Sequence, residues 1–244
     1  MEEAGNNPSS KRVTGRTREV VIALDRGIFF FTKHWLAAFN LFVFAYVGLP
    51  FIAPVLMNAG LSGPAKVIYT TYSPLCHQLG FRSWYLFGER AAYPRDIFGQ
   101  YSGLDPNDFL AARAFLGNER MGYKVAFCER DVAIYGAMLL GGLIYGLPFV
   151  RRRLKPLPWW AWLLLGVFPI ALDGFSQLFS QYPYNLIPLF SFLPYRESTP
   201  VLRTLTGGLF GLANVWLAYP YVEESMQGVY RELEAKLERV KSET

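Results

Sequence analysis

The chain has little cysteine, little histidine and little charge. Two of its 244 residues are Cys, two are His, and charged residues make up 18%. Two cysteines cannot build a disulfide-dense framework, which leaves a bridge, a metal site or a pair of inert thiols. The sequence has no phosphate-binding glycine loop, no HExxH pair, no nucleophile elbow and no internal repeat, so no catalytic signature names a reaction. The net charge is +5. Its basic residues bunch at the ends of apolar runs instead of forming a stripe interleaved with aromatics, which argues against nucleic acid as a partner.

Apolar residues are abundant, at 52% hydrophobic and 17% aromatic, and place the chain in the membrane class. Four stretches are long enough to span a bilayer: Trp35 to Met57, Val132 to Val150, Trp159 to about Leu178, and Thr204 to Val222,. Asp173 is the one charge within them. The expected fold is an all-α integral membrane protein with four transmembrane helices, an extracytoplasmic cap and amphipathic terminal helices. Three regions follow. Residues 1–34 form a basic tail and an interfacial helix, the latter over Val20 to Phe31. Residues 35–222 form the four-span membrane domain, including an outer loop over 58–131. Residues 223–244 form a cytoplasmic amphipathic helix, with Val229, Leu233, Leu237 and Val240 at helical spacing,.

Orientation rests on Arg151, Arg152, Arg153 and Lys155 in the short connection after the second span. By the positive-inside rule this connection is cytoplasmic, so a multi-pass protein of the cell membrane is expected, with both termini in the cytoplasm. Cys76, His77 and Cys128 then lie outside. Pro183 to Pro194 carries three prolines and cannot be a clean helix. Gly142 and Gly146, and Gly207 and Gly211, are spaced for close helix packing.

The polar residues near the spans converge on one level. Asp173 lies 14 residues beyond Trp159, about 21 Å along its helix. Gln177 follows one turn later, Arg130 opens the second span, and Arg203 and Thr206 open the fourth. A carboxylate at this depth needs a partner, which Arg203, or failing that Arg130, would supply. Arg82, Arg130, Asp173, Gln177, Arg203 and Thr206 therefore form an expected outer polar centre. Cys76, His77, Cys128 and Asp131 are a chemically complete zinc set. A disulfide between Cys76 and Cys128 is the alternative in an oxidising compartment.

Several segments resemble a family of bacterial and archaeal membrane proteins of unknown function. They are Cys76-His77-Gln78 with Arg82-Ser83, Cys128-Glu129-Arg130-Asp131, Asp173-Gly174 with Gln177, and Glu197-Ser198-Thr199 with Leu202-Arg203 and Thr206-Gly207. Against the pattern of that family, the chain has Asp131 where many members have a further cysteine, and an insertion over about 91–126. The resemblance implies the architecture and the placing of the motifs, and no activity. The expected role is binding, structural or accessory, with lipid bilayer and other membrane subunits as partners and zinc as a cofactor. A metal-dependent enzyme at the outer membrane face is the alternative, with Asp173 or Asp131 as base.

Overall fold

The computed structural model describes residues 15–242. The chain divides into two compact units, 1–38 with 222–244, and 39–221. Of the expected basic tail, residues 1–14 lie outside the described residues.

In the first unit the beginning of helix α1 (Arg16–Asn58) packs against the end of helix α8 (Pro200–Ser242). Trp35 Nε1 donates to Glu223 Oε2 at 2.8 Å, Lys236 pairs with Asp25 at 2.6 Å, and Phe29 stacks on Tyr230. The segment expected as an interfacial helix is continuous with the first apolar run in α1. Asp25 and Gly27 do not interrupt it, because the carboxylate is paired to Lys236 and one helical glycine costs only about 1 kcal/mol. The amphipathic C-terminal segment is likewise continuous with the last apolar run, in α8.

The second unit adds α2 (Ser62–Tyr72), α3 (Arg95–Ser102), α4 (Phe109–Ala114), α5 (Glu129–Tyr145), α6 (Pro148–Arg153) and α7 (Trp159–Phe179). It departs from the all-α expectation in one place. Strands β1 (Ser83–Leu86), β2 (Gly117–Asn118) and β3 (Gly122–Cys128) form an antiparallel sheet in the order β1-β3-β2. β3 reads GYKVAFC, whose aromatic and branched residues suit a packed pleat,. Its first residue, Gly122, has φ +70°, and a Cβ there would come within 2.1 Å of the Leu86 carbonyl, so the β1–β3 approach requires glycine. One face of this region buries Tyr69, Tyr72, Val125 and Phe127; another core collects Phe81, Tyr85, Tyr93, Phe98 and Met121.

Among the described residues three helices, α1, α7 and α8, are long and apolar enough to cross a membrane. The expected span over 132–150 falls on α5, which ends at Tyr145 after 17 residues. Leu147 is extended and Pro148 starts the short α6, as expected for a residue preceding proline. At about 26 Å, α5 is slightly shorter than a hydrocarbon core of about 30 Å. Helix α7 widens into a π turn over Leu163–Val167 just before Pro169. Proline lacks an N–H, and its ring crowds the carbonyl four residues earlier, so the wider turn relieves both problems.

Leu41, Phe42 and Phe44 on α1, Phe168, Leu172 and Phe175 on α7, and Leu205 and Leu209 on α8 are exposed. Apolar surface on this scale is what lipid covers in a membrane protein. The glycine pair of α8 brings it against α5. A Cβ at Gly207 would lie 2.8 Å from the Arg130 carbonyl, and one at Gly211 would lie 2.3 Å from that of Ile134.

Candidate functional site

The first turn of α5 faces two ways. Glu129 and Arg130 enter a network of ion pairs, whereas Cys128 and Asp131, three apart, meet at a thiol cluster. Helical geometry accounts for the division, since residues three apart share a face and their neighbours do not.

In the network Asp173, on α7, is 5% exposed. Its carboxylate accepts from Arg130 Nη2, from Arg196 Nη2 at 2.7 Å, and from the Ser198 hydroxyl at 2.7 and 2.9 Å. Arg203, on α8, is 3% exposed; it donates to Glu129 Oε2 at 2.9 Å and to Glu197 Oε1. Glu197 also holds Arg82 through two bonds of 2.8 and 3.0 Å, and receives amide N–H groups from Gln177 and Gln181. Arg95 reaches Glu197 at 3.8 Å and lies over the rings of Phe81, Phe109 and Tyr195. Gln177 links the two halves, because its amide donates to Glu197 while its Oε1 accepts from the Ser198 backbone. Within the network two polar atoms are buried without a hydrogen-bond partner among the described residues: Glu129 Oε1 and Arg130 Nε.

Asp173 thus pairs with Arg130 and Arg196. Arg203, the partner first expected for Asp173, instead pairs with Glu129 and Glu197. Of the expected polar centre, Arg82, Arg130, Asp173, Gln177 and Arg203 come together. Thr206 does not join them, for its hydroxyl donates to Leu202 O on its own helix at 2.7 Å. Glu129, Arg95, Arg196, Glu197 and Ser198 also belong to the network, although their spacing in the sequence does not single them out. Glu129, Glu197 and Ser198 stand inside the quoted motifs, and their clustering there was the available signal.

At the second site strand pairing sets Ser83 opposite Cys128, which brings Cys128 to Cys76. Both cysteines are free. The Cys76 sulfur accepts the backbone N–H of Cys128 at 3.2 Å and that of Gln78 at 3.5 Å. The Cys128 thiol donates to Asp131 Oδ2 at 3.0 Å, and one ligand atom from each of Cys76, Cys128 and Asp131 lies within 4.8 Å of the others. Contact with the Cys76 sulfur, followed by burial and the Asp131 carboxylate, pushes the Cys128 thiol well above its usual pKa. His77 is exposed and outside this group. Gln78 has φ +51°, and its amide is tied to Tyr69 O and Ala126 O at 2.9 Å each. Lys124 is fully buried; its ammonium donates to Gln78 O at 2.7 Å and Arg113 O at 2.6 Å. Burial lowers its pKa to about 7.

Residues 113–217 match the model of a family described as a predicted membrane protein (DUF2085). The chain is also 25% identical over 196 residues to an uncharacterized protein, MJ1492, of Methanocaldococcus jannaschii, covering 77% of this chain and 92% of that one. No solved structure matches. These similarities support a membrane family of unknown function. The matched segment carries Lys124, Cys128 to Asp131, Asp173, Gln177, Glu197 and Arg203, and begins after Cys76 and Arg82.

Proposed function

We propose that this membrane protein binds an anionic group, a phosphate or a carboxylate, at the arginine network. The reading rests on charge imbalance. The ion pairs join five arginines, Arg82, Arg95, Arg130, Arg196 and Arg203, to three carboxylates, Glu129, Asp173 and Glu197. Among the described ion pairs two positive charges are left over in a partly buried setting, where an uncompensated charge is costly,. Arg130 Nε, buried without an acceptor, supports the same conclusion. A cleft of about 680 Å³, whose walls include Arg95, Asp96, Tyr195, Glu197 and Ser198, borders the network at Arg95 and Glu197. Guanidinium groups match the planar oxygens of phosphate and carboxylate. The role is binding or accessory, with the bilayer and other membrane subunits as its setting.

The topology that fits this reading has α5 as a fourth span, the sheet region as an extracytoplasmic cap, and both termini in the cytoplasm of a cell-membrane protein. Arg151 to Arg153 at the end of α6 support that orientation through the positive-inside rule. A membrane-impermeant label reaching the C-terminus in intact cells would reject it.

The binding test uses full-length protein in neutral detergent, with melting followed against added anionic phospholipid or inorganic phosphate. Saturation at about 100 times Kd should stabilise the fold by about 2.7 kcal/mol, and Arg196→Gln should abolish the shift. Stabilisation by lipid alone identifies a headgroup, and by both a phosphate site. If neither ligand stabilises the wild type, and neither do simple carboxylates, the proposal fails.

A further inference from the structure

We infer that Cys76, Cys128 and Asp131 form a three-ligand zinc site, separate from the arginine network and independent of the anion reading. Two thiolates and a carboxylate suit a borderline-soft divalent ion, and zinc takes such ligands in tetrahedral geometry. Three features of the surroundings make this a built site. First, the Cys76 sulfur receives two backbone N–H groups, from Gln78 and Cys128; donors aimed at a sulfur stabilise it as a thiolate and orient its lone pairs. Second, the segment that aims them is held in the left-handed region at Gln78, a conformation non-glycine residues rarely adopt,. Two side-chain bonds from Gln78 to Tyr69 O and Ala126 O hold it there.

Third, the charges close. Two thiolates and one carboxylate around Zn²⁺ carry a net charge of −1, and the Lys124 ammonium, bonded to the carbonyl of Gln78, restores neutrality. This gives a role to a fully buried lysine that has no carboxylate partner among the described ion pairs. Loading releases the thiol proton that Cys128 shares with Asp131, together with any proton on Cys76, to solvent. Cys76 also lines a cleft of about 320 Å³ with Ser73, Pro74, Leu75, His77 and Arg113. Three protein ligands leave a fourth position for water, and His77, exposed on the wall of this cleft, is outside the ligand group,.

The test is a Co²⁺ titration of chelator-treated, reduced, full-length protein in mild detergent, with Zn²⁺ as competitor. One equivalent of Co²⁺ should produce a thiolate-to-cobalt charge-transfer band that Zn²⁺ abolishes. Zn²⁺ should also protect both thiols of the wild type from alkylation, a readout that needs no variant to fold. Cys128→Ser should lose the band's intensity, Asp131→Asn should weaken Zn²⁺ binding, and Lys124→Met should weaken it by about 10–100-fold with the band retained. His77→Ala should leave affinity within a few-fold. A reduced wild type that gives no band and no zinc protection overturns the site. Metal-free protein from native membranes whose thiols become reactive only after reduction overturns it in favour of a disulfide. A loss in His77→Ala as large as that in Asp131→Asn overturns the three-ligand assignment.

Discussion

Replacing Asp173 by Asn is the sharpest test of the arginine network, because it removes one charge and nearly conserves shape. Asp173 is 5% exposed and accepts from two guanidinium groups and a hydroxyl. Removing one partner of a buried pair costs about 3–5 kcal/mol. The Arg130 and Arg196 side chains are 24% and 34% exposed, so water can resolvate part of the released charge, and the lower end, about 3 kcal/mol, is expected. For a chain of this length that is about 6–12 °C in melting temperature. Combining Asp173→Asn with Arg130→Gln should recover about 1–2 kcal/mol of the summed losses, within the range typical of directly paired residues. Combining Asp173→Asn with Arg203→Gln should show a smaller coupling, since Arg203 pairs with Glu129 and Glu197 and reaches Asp173 only through intervening side chains,. Thermal melting in one detergent, with all single and double variants, measures both cycles. Coupling of Asp173 to Arg203 as large as that to Arg130 would refute the partner assignment.

Two further outcomes are expected. Folded Lys124 gives up its proton near pH 7, whereas the unfolded chain holds it until about pH 10.4; between these values the unfolded state binds more protons, so chelator-treated protein should gain stability as pH rises, approaching about 1.4 kcal/mol per pH unit. Denaturation of the wild type and Lys124→Met from about pH 7 to 8, below the range in which unfolded cysteine thiols titrate, should show a rising slope in the wild type and its loss in the variant; equal slopes would refute the lysine's role. Gly211→Val should destabilise by about 1–3 kcal/mol, because a Cβ would meet Ile134 O at 2.3 Å, whereas Gly208→Ala, where nothing lies within 4 Å, should stabilise by up to about 1 kcal/mol,; equal effects on melting would contradict the packing of α8 on α5.

Local sequence and tertiary structure decided different things. The apolar runs at 35–57, 159–178 and 204–222 lie within α1, α7 and α8, because length and hydropathy are properties of a contiguous segment. The prolines of 183–194 likewise prevented a regular helix there, since proline removes a donor wherever it stands. Arg130, Asp173, Gln177 and Arg203 join one network through shared partners, and the 1.5 Å rise per residue is what set them at a common level in the sequence. Partner choice was not legible. Long guanidinium side chains at one level can reach several carboxylates, and the Arg196–Ser198 segment, where Asp173 finds Arg196 and Ser198, lies outside any helix and has no periodicity to read. His77 separated from Cys76 for a related reason. The left-handed backbone at Gln78 is held by Tyr69 O and Ala126 O, groups 9 and 48 positions away in the chain, so tertiary contacts decided which side chain faces the thiol cluster.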